Sequence, residues 1–588
     1  MIVAMKKVFV VVQAKDRETT IESLRRLGVV HVEYQRALHG ENIRRLEEDL
    51  SLVEAAQEVF SHRYDHERTD QFEQKPLQDW KRTCQHLVDL NKRLDQLQEY
   101  QARITNTIIE WRQWGDFEPA FIEQLAGKGV FFRLYQIPVN QLKDVPDDVI
   151  VREVFRKAGM AHCVVIARTK PELGFKEITL PRLSLGAMKK RLALDEQTEE
   201  DIRKEITSHL TYRKALVEVR EALRKQLEFS RAVQGMGAEG ALSYLAGYVP
   251  SDAEQLLRKN AVRNHWAIAV SDPSEEDAVP TLIRSPRWVE IIRPVLSLLG
   301  ITPGYRELDV SALLLVFLSL FFGILIGDAG YGIVYLGLTA WFQKKKGRVP
   351  AVKQACLLMY VFSSCAVIWG VLTGTFFGQA WLKQRGIFGL DPALNDPRFM
   401  QTVCFMLGAL HLSIAHGWRA VRKLPSLSAL SDIGWICILW TAFFLAKALI
   451  LGDAFPWEGK LLLISGLLLV VLFASPQRNV LKAIGSGLGT IALSLVNNFT
   501  DVVSYVRLFA VGLAGVAIAE ATNAMAAGFG SGFLAAAAGV LVIVFGHALN
   551  IVLGPMSVLV HGVRLNVLEF SSHASVTWSG IAYAPLKE

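Results

Sequence analysis

Two stripes of polar residues cross the long apolar runs near the C-terminal end of the sequence, and each stripe ends on an arginine. The first lies in the run from about residue 484 to 525. Its members are three or four residues apart, so an α-helix presents them on one face; they are Asn497, Thr500, Ser504 and Arg507. An arginine at a bilayer centre costs about 2.5–3.5 kcal/mol on insertion scales. The pattern favours a functional arginine over one that reaches the membrane surface from a helix end.

The second stripe lies in the last apolar run and steps by 3, 4, 3, 4 and 3 residues. It consists of His547, Asn550, Gly554, Ser557, His561 and Arg564. For His547 and Asn550 the pattern is equally compatible with a functional role and with a purely structural one, as hydrogen-bonding groups between helices. For His561 with Arg564 a functional interpretation is favoured, because a second arginine in an adjoining membrane helix adds a further large cost.

Two fixed positive charges on neighbouring membrane helices suggest a part in ion translocation. An arginine cannot carry a cation, but it can hold a passing carboxylate in its ionised form. It also blocks leakage of cations between two water-filled half-paths. We expect that carboxylate on a partner chain, since Glu520 is 13 residues from Arg507 and points about 140° away from it on an α-helix.

Other acidic residues in or near the apolar runs leave several roles open. Asp328 lies inside a run, and Asp501 and Glu569 lie toward the ends of theirs, as channel mouths or, as we favour, solvated end residues. The residues predicted to line the two half-channels are Asn497, Thr500, Asp501, Ser504, His547, Asn550, Ser557, His561 and Glu569.

Composition indicates a soluble half joined to a membrane half. Mean hydropathy is positive at +0.26, yet 21% of the 588 residues are charged. Charged residues are concentrated before residue 300, so we expect a cytoplasmic domain at 1–300 and a membrane domain at 301–588. The six cysteines are scattered and are typical of small core residues. The net charge of +7 gives no indication of nucleic-acid binding.

The soluble half begins with the pattern strand, helix, strand. Residues 8–12 form an apolar stretch, 17–27 are amphipathic, and 29–34 form a second strand pattern. The opening residues lead into the first strand and lack the cleavage site of a secretory signal. These features predict a near lobe of the α/β class, completed by residues near 242–250 and 266–270.

Helical periodicity next predicts a coiled-coil arm. Apolar residues recur at spacings of three and four from about 41 to 111, with an interruption near Pro76, and again from about 195 to 234. Strand patterns at 129–135 and 162–168 lie between the two stretches. We therefore expect two antiparallel arms with a far lobe at their end, an architecture suited to a strut or tether.

The sequence patterns do not support nucleotide binding. Residues 235–240 match G-x-G-x-x-G, but they follow a helix instead of a strand, so we reject that function. The sequence contains no G-x-x-x-x-G-K-[ST] motif of a P-loop. We expect no catalytic residue, ATP site, cofactor or metal in this chain.

The membrane half contains eight apolar stretches, which predict a polytopic α-helical protein. The predicted spans lie near 309–327, 329–342, 353–379, 400–418, 430–452, 459–474, 484–526 and 532–570. The first two leave little room for a loop between them. The last two contain about forty residues each, or about 60 Å of helix, against a hydrocarbon core about 30 Å thick. Strong tilt is the favoured explanation because nearly all their residues are apolar or small.

Basic residues in the loops predict the orientation in the membrane. Ten lie on the side of the soluble half: Lys344, Lys345, Lys346, Arg348, Lys353, Arg419, Arg422, Lys423, Arg478 and Lys482. Four lie on the other side: Lys383, Arg385, Arg398 and Lys460. This asymmetry indicates a multi-pass cell-membrane protein with both termini in the cytoplasm.

Five segments of the sequence are informative when taken together: SYVRLFA at 504–510, HALN at 547–550, VHGVRLNVLEF at 560–570, LFFGILIGDAGYG at 320–332 and GVLTGTFFG at 370–378. They resemble the membrane stator subunit of V/A-type rotary ATPases, called subunit I in bacteria and subunit a in eukaryotes. The resemblance covers almost the whole chain.

The resemblance implies that Arg507 and Arg564 face a rotor ring of membrane c/K-type subunits, whose carboxylates bind H⁺ or Na⁺. One half-channel loads each carboxylate and the other unloads it. The arm binds peripheral stalk subunits of the E/G type, and a central-stalk cap subunit is a further expected partner. Eukaryotic members carry a glutamate at the position of Gly554, so the channel acid is expected elsewhere in this chain.

Two functions from other classes remain open at this point. A structural membrane tether would need the arm but neither arginine. A stand-alone secondary transporter is disfavoured, because the sequence has no inverted repeat and the cytoplasmic strut would be unexplained.

Overall fold

The computed structural model of the chain describes residues 1–35, 40–64, 77, 79–146, 149–171, 173–347, 349–379, 396–473, 494–530 and 532–587. Contacts divide it into two compact units, each described here by itself. The first consists of residues 1–12, 27–33 and 246–587, and the second of residues 13–26 and 34–245. The first unit thus combines near-lobe strands with the membrane helices, whereas the domain boundary at residue 300 stays a prediction.

The elements are numbered in chain order. The helices are α1 (Arg17–Leu27), α2 (Glu41–Tyr64), α3 (Trp80–Trp111), α4 (Pro119–Gly127), α5 (Leu185–Ser208), α6 (Arg213–Gln234), α7 (Glu254–Asn264), α8 (Arg287–Glu290), α9 (Arg293–Leu299), α10 (Ser311–Ile326), α11 (Ala329–Lys346), α12 (Pro350–Thr373), α13 (Pro397–Lys423), α14 (Ala429–Ala446), α15 (Trp457–Phe473), α16 (Ser494–Ala527) and α17 (Phe533–Ala574). The strands are β1 (Met5–Gln13), β2 (His31–Glu33), β3 (Phe131–Pro138), β4 (Ile150–Lys157), β5 (Met160–Ala167), β6 (Lys176–Ile178), β7 (Gly237–Glu239), β8 (Leu242–Pro250), β9 (Ala267–Ser271), β10 (Pro280–Thr281) and β11 (Ile581–Ala582).

In the first unit, β8 lies between β2 and β1, and β9 pairs with the other edge of β1. Val8, Val10 and Val12 are buried while the residues between them are partly exposed, as expected of a strand with one face on the core. The predicted order of strand, helix and strand at the start of the chain is confirmed by β1, α1 and β2.

A C-terminal strap, residues 575–587, ties the end of α17 to the strands of the first unit. β11 pairs in parallel with β10. The Tyr583 hydroxyl donates to the carbonyl of Val29 at 2.6 Å, and the amide of Leu586 donates to the carbonyl of Val30 at 2.9 Å. These long-range bonds link the last residues of the sequence to the segment that precedes β2.

In the second unit, α2 packs on α6 and α3 packs on α5. Most predicted seam residues are buried, including Val53, Leu87, Leu94, Ile206 and Leu216. The far lobe is a four-stranded sheet in the order β4, β5, β3, β6, in which the two predicted strands, β3 and β5, are antiparallel neighbours.

The second arm helix differs from its prediction. α5 begins at Leu185, ten residues before the expected start, because the Ser184 hydroxyl caps it by accepting the amide of Ala187. A 3₁₀ turn, His209–Tyr212, separates α5 from α6. The arm as a single two-stranded coiled coil stays a prediction.

Each of the eight predicted spans coincides with a helix, α10 to α17. Within the described residues, five stretches are long and apolar enough to cross a membrane: Val352–Thr373, Pro397–Lys423, Ala429–Leu451, Ser494–Ala527 and Phe533–Ala574. α10 is a shorter apolar helix. The chain is therefore a multi-pass membrane protein, and the number of eight crossings stays a prediction.

α10 forms the centre of the membrane core. Leu318, Phe321 and Phe322 are almost fully buried, and the helix contacts α12, α16 and α17. α14 and α15 approach closely at Gly434 and Gly466, where a Cβ on either glycine would lie 2.9 Å from the other's carbonyl oxygen. The six cysteines are free and are buried or half-buried, which confirms the prediction of small core residues.

A two-residue turn connects α10 to α11. It explains how the first two predicted spans can follow each other with little room for a loop. Gly327 has φ of +64°, a conformation that favours glycine. The Asp328 carboxylate then accepts the amides of Gly330 at 2.7 Å and Tyr331 at 3.2 Å, and also that of Gly378 at 3.2 Å. Asp328 is thus the N-cap of α11.

Several predictions fall on residues outside the described ranges. These are the interruption near Pro76, the start of the seventh span before residue 494, and five of the loop residues counted for orientation. The five are Arg348, Lys383, Arg385, Arg478 and Lys482.

Candidate functional site

A change of helix geometry at Tyr505 fixes Arg507. The amide of Tyr505 donates to the carbonyl of Val502 and the amide of Leu508 donates to the carbonyl of Tyr505, so both bonds span three residues instead of four. The carbonyl of Ser504 instead accepts the Nε–H of Arg507 at 2.9 Å. This bond holds the guanidinium close to its own helix and directs its remaining N–H groups toward α17.

Glu569 of α17 lies between the two arginines. Its Oε1 is 2.5 Å from Nη2 of Arg507 and 3.4 Å from Nε of Arg564. The side chains are 22% exposed for Arg507, 56% for Arg564 and 6% for Glu569. The expectation that Glu569 is a solvated end residue is wrong. Glu569 thus already pairs with both arginines within this chain, while the expectation that a passing carboxylate arrives on a partner chain stays a prediction.

Two π-helical segments in α17 make this contact possible. They cover Val558–Gly562 and Leu565–Phe570 and flank Arg564. In an α-helix, residues five apart point about 140° away from each other. The i→i+5 hydrogen bonds of a π-helix instead bring such residues to the same face, one turn apart. Arg564 and Glu569 therefore meet, which α-helical periodicity does not predict.

A hydrogen-bonded chain of four titratable side chains leads inward from an open cleft of about 500 Å³, which is lined by three of them, Asp501, His573 and His416. Asp501 Oδ2 is 3.0 Å from Nε2 of His573, whose Nδ1 is 3.0 Å from Nε2 of His416. Nδ1 of His416 is 3.2 Å from Oδ1 of Asp432. Two neutral imidazoles supply hydrogens for two of these three contacts, so the chain has room for one further proton.

Basic side chains from α13 neutralise the buried end of this chain. Asp432 is fully buried, with Nε of Arg419 at 3.4 Å and Nζ of Lys423 at 2.6 Å. Arg419 also donates to the carbonyl of His573 at 3.0 Å. Asn497 and Thr500 of the predicted stripe line the cleft, and so does Asp501, which was predicted to line a half-channel.

A second polar cluster lies where α16 and α17 meet α11. Asn550 donates to the Tyr331 hydroxyl at 3.0 Å, and that hydroxyl is 2.7 Å from Nδ1 of His547. Nε2 of His547 is 3.2 Å from Oδ1 of Asn523, whose amide donates to the carbonyl of Phe377. These bonds are mutually consistent if Tyr331 donates to Nδ1 and His547 carries its hydrogen on Nε2.

Gly554 lies beside a cavity of about 100 Å³ lined partly by Asn550 and Ser557. A Cβ at Gly554 would lie 2.8 Å from the Tyr335 hydroxyl and 2.7 Å from Cδ1 of Ile326. The Tyr335 hydroxyl therefore fills the space that a side chain at residue 554 would need.

The structure divides the predicted site residues into separate groups. Arg507, Arg564 and Glu569 lie together, with Ser504 contributing its carbonyl. His547 and Asn550 lie in the half of α17 away from the cleft, Ser557 borders the small cavity beside Gly554, and His561 is half-buried one turn before Arg564. No group of three or more His, Cys, Asp or Glu side chains with metal-site geometry occurs among the described residues.

Sequence reasoning missed His416, Asp432, His573, Tyr331 and Asn523. A signal for the first was available, because His416, Arg419 and Lys423 step by three and four across the end of the predicted span at 400–418, so a continued helix presents them on one face. The position of Asp432 opposite that face depends on the packing of α13 on α14, which spacing alone does not determine.

The fold and the site together define a class: multi-pass helical membrane proteins with buried charged residues on their longest helices. No family model matches the chain. It is 29% identical to "V-type ATP synthase subunit I 1" of Treponema pallidum and 27% identical to "V-type ATP synthase subunit I" of Borreliella burgdorferi, each over 100% of both chains. "A-type ATP synthase subunit I" of Methanocaldococcus jannaschii is 25% identical over 61% of this chain and 57% of its own.

A solved structure also aligns with part of the chain. It is the crystal structure of the cytoplasmic N-terminal domain of subunit I, a homologue of V-ATPase subunit a, and it covers 45% of this chain and 100% of its own length. At 18% identity and a TM-score of 0.23, it carries no argument about the fold. The matches confirm the resemblance stated from the sequence: the chain is similar to subunit I of V-type ATP synthases over its full length and to subunit I of an A-type ATP synthase over 61% of it.

Proposed function

We propose that this chain is the ion-translocating stator subunit of a V/A-type rotary ATPase and has no ATP site of its own. The observation that carries the proposal is the placement of Arg507, Arg564 and Glu569 between two separate polar clusters on the two longest apolar helices. A purely structural tether has no need for such an arrangement, because buried charges in a membrane helix are costly.

The two clusters are far enough apart to serve opposite sides of a membrane. Asp501 of the cleft and Asn523 of the second cluster are 22 residues apart on α16, or about 33 Å of helix. This length is close to the thickness of a hydrocarbon core, about 30 Å. Arg507 lies between them. The cleft would be one half-channel and the cluster around Tyr331 and His547 the other.

The arginines would keep the two half-channels apart. A carboxylate on a rotor-ring subunit would arrive with its ion bound, release the ion into one half-channel, and pass the arginines in its ionised form. It would then take up a new ion from the other half-channel and carry that ion through nearly a full rotation of the ring before release. The ion is H⁺ or Na⁺, and the uptake assay below distinguishes the two.

The other expected partners follow from the resemblance. The arm of the second unit would bind peripheral stalk subunits of the E/G type and resist torque, and a central-stalk cap subunit would contact the cytoplasmic side. With both termini in the cytoplasm, the cleft lies on the cytoplasmic side, because His573 is near the end of α17.

The test replaces Arg507 with alanine in the reconstituted complex. We expect Arg507→Ala to abolish ATP-driven ion uptake into vesicles, because the barrier then loses its mostly buried arginine and keeps only the half-exposed Arg564. Uptake is measured with and without sodium and with a protonophore. Arg422→Ala, which removes an exposed arginine at the end of α13, is the matched control and should pump normally. Undiminished pumping by Arg507→Ala would refute the proposal.

A further inference from the structure

One of the two carboxylate oxygens of Glu569 makes both of its contacts with the arginines. Oε1 is shared between Nη2 of Arg507 and Nε of Arg564. Oε2 is buried and has no hydrogen-bond partner among the residues that the structure describes. Burying a carboxylate oxygen without a hydrogen-bond partner is costly, and most buried polar atoms in proteins are paired. The Glu569 charge therefore requires an explanation beyond packing.

The local backbone is arranged to deliver this charge. The π-helical segment Leu565–Phe570 brings Glu569 to the face of Arg564. The 3₁₀-like turn at Tyr505 brings Arg507 to the same place from α16. Two departures from α-helical geometry on two helices thus converge on one carboxylate, and such departures are frequent at functional sites.

The two arginines differ in what Glu569 does to them. Arg507 donates both to Glu569 and to the carbonyl of Ser504 and is mostly buried, so its position is fixed. Arg564 makes the longer contact with Glu569 and is more than half exposed. Arg564 can therefore meet an incoming carboxylate while Glu569 still holds Arg507.

We propose that Glu569 is an internal counter-ion that positions Arg507 and lowers the net charge of the arginine pair from +2 to +1. A rotor carboxylate must be attracted to the pair and must also leave it. A pair with net charge +2 in a low-dielectric site would hold an anion much longer than a pair with +1. This inference rests on the proposed function and assigns Glu569 a role other than lining a half-channel.

The test varies the net charge of the trio in the reconstituted complex. Wild type carries +1, Glu569→Gln +2, Arg564→Gln 0, and the double variant again +1. We expect ATP-driven ion uptake per assembled complex to fall about tenfold or more in Glu569→Gln. The double variant should pump faster than either single variant, which is a coupling that independent structural losses do not produce.

Passive ion leak through the membrane sector is measured beside uptake. Glu569→Gln should leak no more than wild type, because the positive barrier has grown. Losses that add in the double variant, or a leak in Glu569→Gln, would overturn the inference. If Glu569→Gln does not assemble, the double variant must still outpump Arg564→Gln, and equal or slower uptake would overturn it.

Failure of the inference is distinguishable from failure of the proposed function. If Arg507→Ala is inactive and Glu569→Gln pumps at the wild-type rate, the stator function stands and the counter-ion role is wrong. If Arg507→Ala pumps normally, the stator function itself is wrong.

Discussion

Three buried carboxylates in the membrane unit are neutralised in three different ways. Asp328 accepts backbone amides as a helix cap, Glu569 is shared by two arginines, and Asp432 faces a histidine, an arginine and a lysine from α13. The capped residue has a role in local structure, whereas the other two depend on side chains that arrive from elsewhere in the sequence. Residue type alone therefore does not separate structural from functional acids here.

Asp432→Asn should destabilise the protein, because it leaves Arg419 and Lys423 beside a buried site without a negative partner. Since both cations are partly exposed, we expect a loss of about 2 kcal/mol rather than the 3–5 kcal/mol of a fully buried pair. This loss of stability is measured by thermal unfolding of the purified protein in detergent.

Asp453→Asn is the control for that substitution. It breaks the more exposed pair between Lys447 and Asp453 just after α14. Exposed pairs contribute about 0–1 kcal/mol, so the control should unfold close to the wild-type temperature. Equal losses in the two variants would contradict a special role for Asp432.

At the scale of elements, irregular segments decide which parts of the chain meet. The π-helical turns of α17 bring Glu569 to Arg564, and the two-residue turn at Gly327 lets α11 start directly after α10. The C-terminal strap binds the segment before β2 through hydrogen bonds to backbone carbonyls, which no sequence pattern predicts. Each of these features breaks the regular period on which sequence analysis depends.

The strap should loosen in acid because it uses His31 as an acceptor. The amide of Ala584 donates to Nδ1 of His31 at 3.1 Å, and burial lowers the pKa of His31 below its usual 6.5. The folded state then binds a proton less readily than the unfolded state. The stability from this contact is present above pH 6.5 and is lost as pH falls from there through the lower pKa of the folded state.

Hydrogen exchange at pH 7.5 and pH 5.5, corrected for intrinsic rates, measures this effect. The amides of residues 580–587 should exchange faster at the lower pH. In His31→Asn the side-chain oxygen can accept the same amide but does not titrate, so the difference should shrink. An unchanged difference in that variant would show that another group is responsible.

At the scale of the whole molecule, each compact unit has its own core. The membrane unit is organised around α10, and the second unit around the packed helices α2, α3, α5 and α6. The first unit also contains the near-lobe strands, so its boundary does not follow the change in composition near residue 300. The change in composition near residue 300 reflects exposure to lipid, whereas the boundary of a compact unit is defined by contacts between residues.

Cysteine labelling tests the predicted orientation. Cysteines placed at Arg398 and Lys460 should react with an impermeant maleimide on intact cells, and those at Lys345 and Arg422 only after the membrane is opened. All four positions are exposed, and the native cysteines are buried or half-buried, so background labelling should be low. Reactivity of both pairs from the same side would contradict the eight-span topology.

The sequence by itself determined the membrane half, its helices and the two arginines. Long apolar runs and polar residues at spacings of three and four follow directly from helix geometry and from the cost of charge in lipid. The same reasoning predicted the near-lobe strands and most of the buried arm seam, because periodic burial leaves a periodic pattern.

Only the tertiary structure decided what the arginines contact. Glu569 lies five residues after Arg564 and 62 after Arg507, and it reaches both only because a π-helical turn rotates it and α17 packs on α16. His416 and Asp432 likewise meet Asp501 and His573 across four helices. Helix packing and local departures from the α-helical period leave no trace in residue spacing, so the partners of these charges could not be predicted from the sequence.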